Sequence, residues 1–382
     1  MIWTIIFMGF CGLVVVSGLY ITVPITTEIE SIFSTTTVSA AFSTSVFSTG
    51  YALGVLVFGP LSDRIGQKKV MTGGMVALAI VTLAISFAKT IELFLFLRSV
   101  QGFIATTFPP VALAYVLANY PPEKKAISIA VLTNGFLMAG VVAQVVSSWV
   151  TKTFSLAPLF IIFAVIYFFC FFGLKHNLNE NTLNAERSLT EEWQQMIKLF
   201  TKKSLLIYYA ISFTLLFSFV GMYATLGDLL SSSFGMTYAE VLAVRAVGIF
   251  GIIVSLTSGK LVNSFGLITV LKYSLSIAIT GLILLIVSPL VELSIIASVI
   301  CVAGIATTVP TVINIVGILG GESRGAAIAL YTFILFVGAS VGPVIAAASS
   351  FSVTIITLAS ALGISLALAQ LISRESLAAT ST

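Results

Sequence analysis

The sequence predicts an all-α integral membrane protein of twelve transmembrane helices in two parallel six-helix repeats. Three observations carry this. Of the 382 residues, 58% are hydrophobic and only 8% are charged, whereas a soluble chain carries about 25% charge. Water is therefore not the main solvent. Twelve apolar runs are long enough to cross a bilayer, for which a helix of about 20 residues suffices. Short motifs of the first six runs also return in the same order about 200 residues later.

The runs occupy residues 2–24, 38–60, 70–88, 91–117, 126–150, 155–174, 204–231, 238–262, 266–288, 291–317, 325–349 and 352–372. They lack the short alternating segments with one polar face that membrane-spanning strands show. Span 1 has no basic n-region and no small-residue cleavage pattern, so it reads as a retained helix and not as a signal peptide. Between spans 2 and 3 lies Gly59-Pro60-Leu61-Ser62-Asp63-Arg64-Ile65-Gly66, followed by Lys68 and Lys69. A basic turn alone needs only the lysines, and the glycines and the acid imply more than solubility.

Span 4 carries Arg98-Ser99-Val100-Gln101-Gly102. Arg98 and Gln101 are three apart and share a helix face. Arg98 sits about seven residues, roughly 10 Å, into its helix. It faces the bundle interior or snorkels to the headgroups. Span 5 places Ala139, Ala143 and Ser147 four apart, and span 11 does the same with Gly338, Gly342 and Ala346, followed through Pro343. Such spacing brings helix backbones close and serves packing or a hinge.

Residues 175–203 hold nine charged positions and separate an N-terminal bundle, 1–174, from a C-terminal bundle, 204–382. Within this linker, Ser188 and Glu191 have capping-box spacing. Trp193, Met196, Ile197 and Phe200 recur at helical intervals. An amphipathic helix on the inner leaflet and a packed connector both fit. Across the linker, Ile104-Ala105-Thr106-Thr107-Phe108-Pro109 is echoed by Ile305-Ala306-Thr307-Thr308-Val309-Pro310. Gly18-Leu19-Tyr20-Ile21-Thr22 is echoed by Gly221-Met222-Tyr223-Ala224-Thr225. Leu61, Asp63 and Gly66 return as Leu261, Asn263 and Gly266, and Glu123 and Lys125 as Glu322 and Arg324. Six spans per repeat is an even number, so both halves cross the membrane in the same sense.

With the N-terminus inside, fourteen Lys and Arg residues fall in inner loops and the tail, against Lys89 and Lys152 outside. This positive-inside bias puts both termini in the cytoplasm of a multi-pass cell-membrane protein. The net charge of +4 follows from that topology and implies no nucleic-acid partner. Cys11, Cys170 and Cys301 fall within apolar spans, as small buried hydrophobes rather than a disulfide set or metal site. His176, the single histidine, lies in the central loop and excludes a histidine proton relay. No phosphate-binding Gly-x-x-x-x-Gly-Lys-Ser/Thr motif occurs, so the chain is not itself an ATP-driven pump. No cofactor and no metal are expected. An enzyme would need His, Asp or Cys clustered at one membrane face, and paired repeats favour rocking halves over a static channel.

The loop residues Gly59, Leu61, Asp63, Arg64, Gly66, Lys68 and Lys69 resemble the signature between helices 2 and 3 of the major facilitator superfamily. Arg98, Gln101 and Gly102 resemble its helix 4 signature. The resemblance covers essentially the whole chain. It implies the superfamily's fold, with helices 1, 4, 7 and 10 lining a central path. It further implies export of a small molecule by alternating access, in the manner of the twelve-helix drug/proton antiporters, with protons as the coupling partner. The expected form is a monomer in membrane lipid. The antiporter signature of helix 5 is degraded here, with Gln144 in place of proline, and its better copy lies in helix 11.

Candidate residues fall into four groups. Gly59, Asp63, Arg64 and Gly66 form an inner latch, with Asp63 meeting the N-terminus of helix 11 near Arg324. Tyr20, Thr106, Thr107, Asn134, Tyr223, Thr307, Thr308 and Asn314 line the path or bond to carbonyls one turn back. Gly338, Gly342 and Pro343 serve packing or a hinge. Arg98, Gln101, Arg245, Glu28 and Asp228 serve substrate binding or proton coupling. No acid lies near mid-membrane, so Asp63, Glu28 and Asp228 are the titrating candidates. Arg98 and Arg245 share one depth in opposite halves and admit two readings. Together they form a fork for the carboxylate or phosphate of an anionic or zwitterionic metabolite, such as a metal-chelating carboxylate. Otherwise they pair, Arg98 with Glu28 and Arg245 with Asp228 or Glu240, as outer-gate ion pairs around a cavity open to drugs.

Overall fold

The computed structural model describes residues 2–179, 198–288, 290–321 and 324–380. Among them, twelve helices are long and apolar enough to cross a membrane. In the first half these are α1 (Ile2–Tyr20), α2 (Thr37–Ile65), α3 (Gln67–Ile85), α4 (Ile91–Ala105, resuming as Pro109–Asn119), α5 (Pro122–Thr153) and α6 (Leu156–Asn177). In the second they are α7 (Lys203–Phe234), α8 (Tyr238–Val254, resuming as Ser258–Phe265), α9 (Leu267–Val287), α10 (Val291–Gly320), α11 (Arg324–Ala348) and α12 (Phe351–Thr380). Ser188, Glu191, Trp193, Met196 and Ile197 lie outside the described residues, as do the side chains of Asp63 and Arg324.

Helix ends are set by local chemistry. The Thr36 hydroxyl accepts from Ser39 N–H at the start of α2, and that of Thr90 accepts from Leu93 N–H at the start of α4, each satisfying a donor the first turn leaves free. Thr237 and Glu240 cap α8 reciprocally. A single residue, Gly66, joins α2 to α3 at φ 99, and Gly266 makes the matching turn before α9 at φ 80. Both lie where a side chain strains the backbone.

Two spans depart from the continuous helices expected. α4 breaks at Thr106–Phe108 and restarts at Pro109. Pro109 and Pro110 remove two consecutive amide donors, so the ladder cannot close across them. The Thr106 and Thr107 hydroxyls donate to the carbonyls of Phe103 and Ile104 instead. At the corresponding place in α10, Pro310 is followed by Thr311 and the helix runs through. The second interruption, a single 3-10 turn at Ser255–Thr257, divides α8.

The chain divides into two compact units, Met1–Trp193 and Gln194–Thr382. Inside the first, α1 packs on α5 and α6, α2 on α4, and α3 on α4 and α6. Inside the second, α7 packs on α11 and α12, α8 on α10, and α9 on α10 and α12. Every pairing of the first unit reappears in the second with six added to each helix number, which is the parallel repeat in three dimensions. Glycines let these helices touch. A Cβ on Gly102 would overlap Phe47 O across the α2–α4 crossing, and one on Gly338 would overlap Phe213 O across α7–α11. A Cβ on Gly342 would lie 2.8 Å from Phe217 O. Gly338 and Gly342 thus have a packing reason inside the second unit.

Candidate functional site

The first unit is organised around Arg98, which is fully buried. It stands seven residues past the first residue of α4, about 10 Å along the axis. Its Nη2 donates to Gly18 O at 2.8 Å and to the Thr22 hydroxyl at 3.4 Å. Nε reaches Ser43 O at 3.4 Å, and Nη1 donates to Gln101 Oε1. The Phe47 ring lies 4.6 Å from the guanidinium carbon, close enough for a cation–π contact. Gln101 passes the network on, its Nε2 donating to the Thr82 hydroxyl at 2.7 Å. Thr22 in turn shares a 2.8 Å hydrogen bond with Thr44. One cation thereby ties α4 to α2, to α3 through Gln101 and Thr82, and to the end of α1.

The local reason is the end of α1. Gly18 falls in its last turn, where carbonyls have no amide ahead of them and the helix dipole presents negative charge. A buried guanidinium meets both needs. Gly18, Thr22, Ser43, Thr44, Phe47 and Thr82 were not identified as site residues from sequence. Gly18 and Thr22 belonged to a repeated motif, but nothing in the pattern linked any of the six to Arg98.

The outer-gate pairing of Arg98 with Glu28 is not what forms. All of Arg98's hydrogen-bond partners are neutral, and the Glu28 carboxylate accepts from the Thr27 hydroxyl at 3.0 Å. The fork reading loses one tine as well, since the donors of Arg98 are taken up by protein. Glu240, expected opposite Arg245, accepts the amide and hydroxyl of Thr237 at 2.7 and 2.6 Å. Its role is to cap α8.

In the second unit Arg245 is buried on α8, seven residues past Tyr238. Its Nη2 lies 2.7 Å from where a Cβ on Gly227 would be, so the guanidinium rests against the bare backbone of α7. Tyr223 and Asp228 are within its electrostatic reach. The hydroxyl of Tyr223 is buried and has no hydrogen-bond partner among the described residues, and its ring packs edge-on against Phe219 at 5.1 Å. Each unit thus brings one buried arginine to its own first helix. The first unit supplies it from its fourth helix and the second from its second helix.

The paired threonines sit at helix crossings or bond to carbonyls one turn back. A Cβ on Gly54 would fall on the Thr106 hydroxyl, and one on Gly74 on the Thr107 side chain. Both threonines therefore fill tight helix crossings. Thr308 donates to the Ser274 hydroxyl at 2.8 Å across α9–α10, and Thr307 donates to Ala303 O at 2.8 Å. Their repetition records conserved packing geometry between the halves. Tyr20 is buried, Asn134 half-buried and Asn314 exposed.

The expected loop is helix as far as Ile65, with Gly59 inside α2 and the half-buried Arg64 in its last turn, and only Gly66 makes the turn. A Cβ on Gly59 would meet nothing within 4 Å. Lys68 has a defined task, donating from Nζ to Leu178 O just past the end of α6. The next residue, Asn179, donates its amide to the Tyr115 hydroxyl at 3.1 Å.

The family model for the Major Facilitator Superfamily matches residues 5–343. The chain belongs to this superfamily. Its twelve candidate membrane spans among the described residues fit that family's multi-pass architecture. Two relatives show how superfamily sequence diverges around it. An uncharacterized transporter of Buchnera aphidicola subsp. Schizaphis graminum is 25% identical over 239 residues, covering 61% of this chain and 57% of the relative. Multidrug resistance protein MdtG of Proteus mirabilis is 26% identical over 239 residues, covering 61% of this chain and 59% of MdtG. The matches thus span less than two thirds of either relative's length. The fold is similar to that of a bacterial homologue of the human lysosomal transporter Spinster, solved inward-facing and unoccupied, with a TM-score of 0.75. That match is 15% identical and covers 97% of this chain and 96% of the other.

Proposed function

We propose that this superfamily member is a secondary active exporter of neutral or cationic lipophilic small molecules, working by alternating access and driven by proton exchange. The observation that carries the substrate class is the commitment of Arg98 to Gly18 O, Thr22, Ser43 O and Gln101. A buried arginine already satisfied by protein is a poor receptor for a carboxylate, which needs free parallel donors. The multidrug relatives support the same class. The positive-inside bias supports a cell-membrane protein with both termini cytoplasmic. For the proton, the acid best placed to sense a buried cation is Asp228, beside Arg245 in the second unit.

The test is uptake of a fluorescent lipophilic cation into everted membrane vesicles energised by a proton gradient. Uptake that collapses with a protonophore supports the proposal. Uptake that continues unchanged removes proton coupling.

A second reading retains an anionic or zwitterionic substrate, because Arg245 rests against α7 at Gly227, one turn from Tyr223, whose buried hydroxyl has no partner among the described residues. Binding of anionic and cationic compounds to wild type, Arg245→Gln and Tyr223→Phe separates the two. Anion binding that is lost in both variants favours the second reading.

A further inference from the structure

We propose that Cys11 and Cys170 form a dithiol staple between α1 and α6, a modification site that closes to a disulfide on oxidation and reopens on reduction. Both thiols are fully buried, one on each helix, and both are free in this structure. Contacts on either side fix the antiparallel register of the two helices. One turn before Cys11, the Phe7 ring lies against Gly173, where a Cβ would overlap it. Phe7 also packs edge-on against Phe169 at 6.2 Å. One turn after Cys11, Val14 O accepts the Tyr167 hydroxyl at 3.3 Å. The steps 7, 11, 14 on α1 and 173, 170, 167 on α6 follow helical spacing along one seam. That register places Cys11 and Cys170 opposite each other at its centre, with both thiols buried. Sequence alone kept them apart, since 159 positions separate them.

Hydrocarbon favours this chemistry. A disulfide is neutral and needs no hydrogen-bond partner, whereas a thiolate–metal centre risks leaving net charge in a dry interior. Closure forms one S–S bond and breaks two S–H bonds. Two protons and two electrons pass to a membrane-soluble quinone, which becomes the hydroquinone. The oxidant approaches from lipid, because α6 is an outer helix. Val165, Phe168, Phe169 and Phe172 are exposed on the outer side of α6, and Cys170 faces inward from the same helix. Closing the bond fixes the register of α1 against α6 and constrains a long loop of chain, which stabilises the folded state. Cys301, buried and solitary in the second unit, is an internal control.

The test uses the full chain reconstituted in liposomes. One sample receives a short-chain benzoquinone, and another receives copper phenanthroline with dissolved oxygen as the electron acceptor. Each is then denatured, alkylated and mapped by mass spectrometry. The proposal expects two of the three alkylatable thiols to be lost, a peptide linking residues 11 and 170, and recovery of all three after reduction. Cys301→Ser keeps the link, and Cys11→Ser and Cys170→Ser each abolish it. Oxidised wild type should unfold at a higher temperature than reduced, with no such rise in Cys11→Ser. Three alkylated thiols after both oxidants, or a link involving Cys301, overturns the staple. A link formed by copper phenanthroline alone overturns quinone as the acceptor.

Discussion

Arginine at position 98 does what lysine cannot. A planar fork with five donors reaches Gly18 O, Ser43 O, Thr22 and Gln101 at once, while an ammonium is a single point on a flexible stem. Arg98→Lys and Arg98→Gln should therefore both destabilise the first unit, by about 1–3 kcal/mol for each buried group left unpaired. Thermal unfolding in detergent measures this, and a lysine variant as stable as wild type contradicts the account. Tyr223 sets the opposite expectation. Its hydroxyl is buried without a partner among the described residues, so Tyr223→Phe should hold or raise stability, by up to roughly 1 kcal/mol. Tyr167→Phe, which removes the bond to Val14 O, should lower it in the same assay. Gly66 offers a third case. With φ at 99, Gly66→Ala strains the backbone by about 1–3 kcal/mol. Gly59→Ala, where a Cβ meets nothing, should be tolerated and gain up to about 1 kcal/mol from helix propensity.

Among the elements, the contrast between α4 and α10 turns on one residue. Pro109 and Pro110 interrupt the first, while Pro310 and Thr311 leave the second continuous. Pro110→Thr should restore an amide donor and extend α4 through the break. Hydrogen exchange would then show new protection near residues 108–112, and unchanged exchange would mean that packing imposes the break. The twelve spans were legible because apolar length is a local property, and the repeat was legible because motifs such as Gly18–Thr22 and Gly221–Thr225 survive side by side. The break in α4 was not, since its two echoes share a first proline and differ in the residue after it. Repetition pointed to Thr107 and Thr308 but not to their surroundings, because a threonine at a tight crossing and one facing a path look alike in sequence. Arg98 was found, its charge being expensive in hydrocarbon. Apart from Gln101 its partners were not, because three contributions come from backbone carbonyls and a phenyl ring, which carry no signature.

For the molecule as a whole, charge distribution makes the sharpest demand. If fourteen basic residues lie inside and two outside, cysteines placed at Lys89 and Lys124 should differ in access. In intact cells Lys89→Cys should react with a membrane-impermeant maleimide and Lys124→Cys should not, while the three buried native thiols stay silent. Equal labelling would refute the orientation. The two units share a pairing scheme and a positive-φ turn at Gly66 and Gly266, yet they anchor their arginines from different helices. Divergence has thus kept the scaffold and moved the charge. The tether at the end of α6 adds a mechanical meaning. Lys68 and Tyr115 grip Leu178 O and Asn179 N, so any pull on the chain beyond residue 179 is delivered to the turn after α2 and to the second segment of α4. Leu178 and Asn179 are the knot of a drawstring whose load reaches the turn at Gly66 directly.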